Sequence, residues 1–509
     1  MPSLSEVLRI TAKRNPDRPA LVFEGRSQTY AEFAAAVERM AAVIAAQGIR
    51  KGDRVLLFSG NSDSFVVAAY AILRTGAIFV PANPRSALPE ITYLIEDSGA
   101  GLIVSAPALA ELAKAAATGS STPVVTLGPA EGFDDLEAAT AATELAPLEE
   151  WPDEFDDAML IYTSGTTGRP KGALFDHHRV IWVGISVDGM YGMHEEERMM
   201  HVAPLYHAAE LCMMLFPGMS SASTHTILAA FDPTVVIQTI AESRISVFFG
   251  VPAMYQAFLR VPGIEKLDFS AWRVGIFGAA PMPSSAVEKL LTAFPSVELY
   301  QCCGQTEAGP SGVYSGPADV RARPDASGRF AVPNLECRVV DADGNDIAAG
   351  EVGEMILRGE TVMKGYWNKP EETAAVIRDG WLHTGDIMLR DEGGYMTLVD
   401  RLKDMILSGG RNIYSVEVEN ALMAHPDILD VAVLGVPNED FGESVLAVIV
   451  PREGTSPTLE EIRAWSLTQI SDYKAPRMLI EHPIPRNASG KIQKHLLRAD
   501  LAELQVAGQ

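Results

Sequence analysis

Cysteine is scarce: Cys212, Cys302, Cys303 and Cys337 are the only four in 509 residues. They show no paired metal-ligand spacing, and four thiols do not make a disulfide framework for a chain this long. A reducing compartment is the expectation. Basic residues are also in deficit, 41 Lys and Arg against 66 Asp and Glu, a formal net charge of −25. That balance argues against nucleic acid as a partner, because polyphosphate backbones demand basic surface. It argues equally against an anionic membrane as a constitutive partner. No uninterrupted apolar run approaches the roughly 20 residues that span a bilayer. The opening residues, MPSLSEVLRITAKRN, lack the apolar core of a signal peptide. The expectation is a cytoplasmic chain without stable membrane insertion.

The rest of the composition is that of an ordinary globular protein, 47% hydrophobic and 21% charged. The length points to two or more domains. In so acidic a chain, an anionic ligand needs local positive charge, so a lysine beside a glycine-rich loop carries information. Such a stretch runs from Tyr162 to Gly172, YTSGTTGRPKG, after the apolar run Ala158–Ile161 that reads as a buried strand. Its eleven residues hold three glycines, four Ser or Thr hydroxyls, a proline and Lys171. Glycines let successive backbone N–H groups converge on one point, and such concavities bind phosphate. It is not a Walker A loop: counting from Gly165, Pro170 and Gly172 occupy the positions of the second Gly and the Ser/Thr. A phosphate loop of another kind is the reading, with a plain Gly/Ser/Thr surface loop as the alternative.

Along the chain, Ser3 with Glu6 and Thr29 with Glu32 have capping-box spacing, the second before an Ala-rich helix that stops at Gly48. Strands at 55–59, 78–80, 102–104 and 124–126 alternate with helices at 64–73 and 108–117, Pro107 opening the latter. Residues 144–156, acidic and with two prolines, read as a connection. The alternation resumes with helices at 236–243, 252–259 and 284–294 and strands at 246–249, 274–277 and 297–300. This is the pattern of βαβ units and a mostly parallel sheet. Ligands of open α/β sheets sit beyond the carboxyl ends of strands. GTTG, GAAP (Gly278–Pro281) and GQTE (Gly304–Glu307) all fall there. From about 335 the signals become antiparallel, with a hairpin turn at 341–345. A new unit starts near 400, with strands at 431–434 and 445–450 and a helix opened by Thr458 and Glu461.

Six segments then occur in one order: YTSGTTGRPKG, GQTE, GEVGEMILRGETVMKGYWNKPEET from Gly350, WLHTGD ending at Asp386, DRLKDMILSGGRNIYSVEVE from Asp400, and RNASGK ending at Lys491. The series closely resembles the acyl-adenylate-forming (ANL) superfamily, which holds acyl- and aryl-CoA synthetases, amino-acid adenylation domains and firefly luciferases. The resemblance implies an α/β fold: a large N-terminal AMP-binding domain, 1–400, of stacked mostly parallel sheets with a small antiparallel β subdomain, and a small mobile α+β lid, 401–509, hinged near Lys403. It implies ATP, Mg²⁺ and coenzyme A as reaction partners of a small carboxylic acid. The acid and ATP give an acyl-adenylate and pyrophosphate, and a thiol then displaces AMP.

The same resemblance assigns residues. Thr163, Ser164, Gly165, Thr166, Thr167, Gly168 and Lys171 hold the β- and γ-phosphates. Thr163 and Glu307 contact Mg²⁺, a carboxylate among phosphates making sense only with a cation between them. Gly278, Ala279, Ala280, Gly304, Gln305 and Thr306 border the nucleotide, and Asp386 and Arg401 serve the ribose and α-phosphate. Lys491 is the lysine that the lid inserts at the forming adenylate, so Lys491, Glu307 and Thr163 are the expected catalytic groups. Ser408, Gly409, Gly410 and Arg411 flank the thiol path beside the hinge. His207, Gly250, Val251, Gly278, Cys302 and Cys303 are expected at the acyl group, His207 having a buried structural histidine as its other reading. His177 and His178 are read as surface or helix-start residues.

Two departures stand out. Cys302-Cys303 occupies positions where many relatives have Gly-Tyr, the tyrosine stacking on adenine. Cys302 is thereby expected to narrow the acyl pocket. Ser415 stands where a proline is usual, with an effect on local stiffness alone expected. The segments expected to line the pocket, 182–190, 207–214, 248–254, 278–280 and 302–310, are mainly apolar and show no arginine for a second carboxylate or aspartate for an α-amino group. The expected substrate is a hydrophobic monocarboxylate, a medium- or long-chain fatty acid or an aryl acid of cinnamate or benzoate type. The alternatives are an adenylation enzyme loading a carrier protein and a luciferase-like acyl-adenylate oxygenase. A homodimer is left open.

Overall fold

The computed structural model describes residues 2–163, 169–280, 282–438, 441–486 and 492–507. Two large mixed sheets dominate. The first has eight strands in the order Gly365–Tyr366, Lys171–Asp176, Asp157–Thr163, Ile78–Ala82, Arg54–Phe58, Ala100–Ser105, Val124–Thr126 and Asp134–Asp135. The second has nine, with Glu298–Gly304, Val274–Gly278, Val247–Gly250 and Arg198–His201 as consecutive neighbours. Pairing is parallel through the centre of each. The central strands are buried apolar runs because helices cover both faces.

The capping signals hold. Thr29 and Glu32 form a reciprocal box at the start of the helix Tyr30–Ala46, and Thr458 and Glu461 do so for Leu459–Ser466. Ser3 accepts from Glu6 N at the head of Leu4–Arg14. One boundary moves. The helix expected over 108–117 begins as a 3₁₀ turn, Pro107–Leu109, and becomes α-helical at Ala110–Ala116. Residues 144–156 form neither helix nor strand, but they do pack. The buried Arg74 donates to the carbonyls of Leu148 and Glu150, and its guanidinium lies 3.7 Å from the Trp151 ring centre.

The antiparallel unit is a five-stranded sheet containing Leu335–Val340, Val352–Gly359, Trp381–Arg390 and Met396–Arg401. Its first turn is closed by the Asp341 carboxylate, which accepts from Asp343 N and Asn345 N. The C-terminal sheet combines Ile406–Ser408, Arg411–Ile413, Ile428–Asn438, Gly442–Pro451 and Met478–Glu481. Strand alternation gives it two cores: Val431 and Val433 face one, Ala432 and Leu434 the other with Leu497. Among the described residues no helix is long and apolar enough to cross a membrane.

Ser415 corrects the expectation of a purely local effect. It is fully buried, and both its backbone N–H and its hydroxyl donate to the Asp400 carboxylate, the hydroxyl at 3.0 Å. Lys494 in turn donates to the Ser415 hydroxyl at 2.5 Å and pairs with Glu419 at 2.8 Å. A proline would carry neither donor.

Candidate active site

Asp157–Thr163 and Lys171–Asp176 are antiparallel partners, with Thr163 opposite Lys171 in register. The glycine-rich loop is therefore the connection of a hairpin, and a strand follows it where a Walker A loop has a helix. Residues Ser164, Gly165, Thr166, Thr167, Gly168, Pro281 and Lys491 lie outside the described residues, so their expected roles stay with the sequence reading. Both ends of the hairpin loop are described.

Glu307 arrives from the other large sheet, on a 3₁₀ turn, Thr306–Ala308, just beyond the strand Glu298–Gly304. The Thr163 hydroxyl donates to Glu307 Oε1 at 3.1 Å, joining residues 144 apart in sequence. Tyr366 donates to the same oxygen at 3.0 Å. Lys171 Nζ lies 5.0 Å from the Tyr366 ring centre and pairs with Glu372 at 2.6 Å. Tyr366 and Glu372 were assigned no role from the sequence. The signal was their place inside the segment GYWNKPEET, between two motifs whose roles were read.

Asp386 and Arg401 face each other as antiparallel strand partners, and Arg401 Nε is 2.5 Å from Asp386 Oδ1. Burial works against the Arg401 charge, but Asp386, Glu307 and Cys303 overcome it and raise its pKa. The guanidinium thus lies within the field of both expected nucleotide-site carboxylates.

Gly278 ends its strand opposite Cys302, and a Cβ at Gly278 would sit 2.4 Å from the Cys302 carbonyl oxygen. The next residue, Ala279, has φ 66°, a left-handed conformation that costs a non-glycine residue about 1–2 kcal/mol. Such strain clusters at functional sites. Gly250 ends the strand Val247–Gly250 and Val251 begins the turn into the helix Pro252–Phe258. Cys302 meets Tyr191: Sγ and the tyrosine hydroxyl are 3.1 Å apart, and burial pushes the thiol up to about 11. Gly304 and Gln305 lead from that strand into the turn carrying Thr306.

His207 precedes a short helix, Ala208–Glu210, that continues through a π-helical turn at Leu211–Leu215. Burial lowers the His207 imidazole to about 4, so it is neutral at pH 7, and its Nε2 has no partner among the described residues. Trp182 Nε1 is likewise buried and unpaired among them. His177 does open a helix, but it is fully buried, its Nδ1 accepting from Leu4 N. His178 lies 3.0 Å from Glu360.

Ser408 and Arg411 are opposed across a tight turn whose Gly409 and Gly410 have φ 56° and 75° and are exposed. Gly409 N donates to Phe441 O at 2.8 Å. Lys403 is exposed in the turn leading from Met396–Arg401 to Ile406–Ser408.

The family model of AMP-binding enzymes matches residues 8–367. The chain belongs to the AMP-binding enzyme family. The model of the AMP-binding enzyme C-terminal domain matches 417–491 of the same enzyme. This AMP-binding enzyme is 38% identical to a feruloyl-CoA synthase of an Amycolatopsis species over 96% of each chain. It is 34% identical to a long-chain-fatty-acid–CoA ligase of Mycobacterium tuberculosis over 98% of each. A solved o-succinylbenzoate CoA synthetase from Bacillus subtilis, in complex with its acyl-adenylate intermediate, matches it with a TM-score of 0.87 at 26% identity over 98% of each chain. The expected family and two-domain α/β architecture therefore stand.

One buried cluster escaped the sequence reading. Glu210 Oε1 is 2.6 Å from His201 Nδ1, and His201 Nε2 is 2.7 Å from His225 Nδ1. All three side chains are fully buried. Burial drives His201 down to about 3 and His225 well below its ordinary value; His177 falls to about 4. Unfolded imidazoles take up a proton below about pH 6.5, whereas these three do not until far lower pH. Their contribution to stability is thus complete above pH 6.5 and is lost as pH falls. His207 adds a fourth imidazole of the same sense. Burial also raises the Glu210, Asp188, Asp400 and Glu419 carboxyls, and each of these opposes a histidine as pH falls.

Proposed function

We propose that this enzyme is an AMP-forming acid–thiol ligase that activates an aryl acid of cinnamate or benzoate type with ATP and passes the acyl group to coenzyme A. The observation that carries the chemistry is the convergence of Thr163, Glu307, Tyr366 and Lys171 from separate segments onto one point. Two anions, a carboxylate and a triphosphate, must meet there. Fixed donors and positive charge lower the barrier as pyrophosphate leaves. The Thr163 hydroxyl and the Glu307 carboxylate are hard oxygen donors suited to Mg²⁺, which usually binds one or two carboxylates and completes its shell with phosphate and water. Among the described residues no cluster of three or more His, Cys, Asp or Glu could hold a metal by itself, and a nucleotide-borne ion needs none. Such an ion supplies charge neutralisation between the phosphates.

Asp386 accepts from the ribose hydroxyls, and Arg401, held beside it, faces the α-phosphate. Residues 1–400 form the nucleotide and acyl unit and 401–509 the lid, with Lys403 at the pivot and Ser408–Arg411 along the thiol path. The setting is cytoplasmic. Gly409→Leu is expected to leave pyrophosphate release within about twofold while stopping thioester formation, since only the second step brings a thiol past this turn. Loss of both steps would sink the thiol-path assignment.

The preference for an aryl acid is supported by His207 Nε2, a buried polar atom in a segment expected to line the acyl site. An alkyl chain leaves it unpaired, at about 1–3 kcal/mol. An aryl ring bearing an oxygen substituent offers it a partner, and the feruloyl-CoA synthase similarity points the same way. The fatty-acid reading is favoured by the apolar run Leu211–Leu215 with its two methionines and by the mycobacterial relative. A panel of hydroxycinnamates, benzoates and fatty acids, scored by CoA-dependent AMP release, decides between them. No AMP from any acid would overturn the ligase reading itself.

A further inference from the structure

Asp97 lies in the last turn of the helix Leu88–Ser98, outside every segment assigned a role above. Three donors converge on it. Tyr162 donates to Oδ2 at 2.8 Å, and Tyr93 and Lys369 reach Oδ1 at 3.0 and 2.6 Å. The Asp97 side chain is 13% exposed, so this is a largely desolvated carboxylate.

Each donor leads to the phosphate loop. Tyr162 immediately precedes Thr163 and sits opposite Gly172 in the hairpin. The Tyr93 hydroxyl is also 2.9 Å from the carbonyl oxygen of Pro170, the residue before Lys171, and Arg169 lies over its ring at 5.4 Å. Lys369 closes the turn that begins at Tyr366, donating its N–H to Tyr366 O at 3.1 Å. Trp367 N donates to Gly172 O at 2.8 Å. One carboxylate therefore links the segments that carry Thr163, Lys171 and the Tyr366 hydroxyl on Glu307.

The Tyr93 hydroxyl has one proton and faces two groups, Asp97 and Pro170 O, that can only accept. Its hold on the loop exit thus depends on how strongly Asp97 competes for that proton. Burial, reinforced by Asp97, raises the Tyr162 phenol above its ordinary value, so it stays a donor.

We propose that Asp97 is a positioning residue for adenylation: through Tyr162 and Tyr93 it fixes the entry and exit of the 163–171 loop, and through Lys369 the turn bearing Tyr366. The proposal rests on the phosphate-loop reading above. Asp97 touches none of the groups expected to meet the phosphates, so its effect belongs to the step that uses the loop. A displacement near 1 Å at reacting groups costs up to about 100-fold.

The test compares half-reactions in Asp97→Asn, with Tyr162→Phe as a second variant that removes only one hydroxyl. ATP–pyrophosphate exchange at saturating acid is expected to fall about 10- to 100-fold in Asp97→Asn, with a smaller fall in Tyr162→Phe. Thioester formation from supplied acyl-AMP and CoA is expected to stay within about twofold, because no pyrophosphate is handled there. Thermal stabilisation by MgATP should shrink in step with the exchange rate. Equal losses in both half-reactions, or unchanged exchange with only a lower melting temperature, would reduce Asp97 to a structural brace. A wild-type chain that neither exchanges pyrophosphate nor is stabilised by MgATP would overturn the phosphate-loop reading, and this proposal with it.

Discussion

Glu307→Gln is expected to slow acyl-adenylate formation about 100- to 1,000-fold, the range for removing one preorganised charge-stabilising group. Glutamine keeps the size of the side chain and a carbonyl oxygen that can accept from Thr163 and Tyr366, whose bonds are 3.1 and 3.0 Å. What it loses is the negative charge that justifies a carboxylate beside a triphosphate, the binding of a cation. The magnesium concentration for half-maximal rate should therefore rise along with the fall in kcat. Arg401 keeps Asp386 as its partner, so the fold has no new unpaired buried charge. Pyrophosphate release measured across a magnesium titration checks both effects. An unchanged rate with an unchanged magnesium dependence would remove Glu307 from the metal site.

Lys491→Ala is expected to lower adenylation by a factor of 1,000 or more while thioester formation from supplied acyl-AMP stays within about threefold. A lysine is a compact point charge on a long stem, suited to charge that moves from the acid onto the leaving pyrophosphate. In the second half-reaction no pyrophosphate leaves, so the charge is not needed. Lys491 lies outside the described residues, but the base of its segment does not: Arg486 bridges Ile492, and Arg486 Nη2 donates to Asp430 Oδ1 at 2.7 Å. Alanine leaves that base intact, which makes the variant a test of charge and not of folding. Equal loss of both half-reactions would refute the role.

Local signals carried the fold far. Capping boxes at Thr29 and Thr458 and the buried runs at 54–58 and 274–278 depend on neighbours within a few residues, so the sequence displays them. Asp386 and Arg401 were each expected at the nucleotide from resemblance; that they pair with one another is a product of strand register. What stayed hidden is contact between distant segments. Nothing in the local pattern says that Tyr366 reaches Glu307, that Glu372 answers Lys171, or that Glu210 meets His201 and His225. The hidden groups are polar, and their partners are fixed by how two sheets and their connections meet. Hydrophobic periodicity does not encode that.

Ser415 has a mechanical consequence. The buried Asp400 carboxylate accepts from both donors of Ser415, across the position proposed above as the hinge, Lys403. A turn about that proposed hinge would have to part both bonds together and rewet Asp400 before any new contact formed. The proposed pivot would then carry a detent, released by discrete escape and not by gradual drift, and a proline at 415 would supply Asp400 with neither bond.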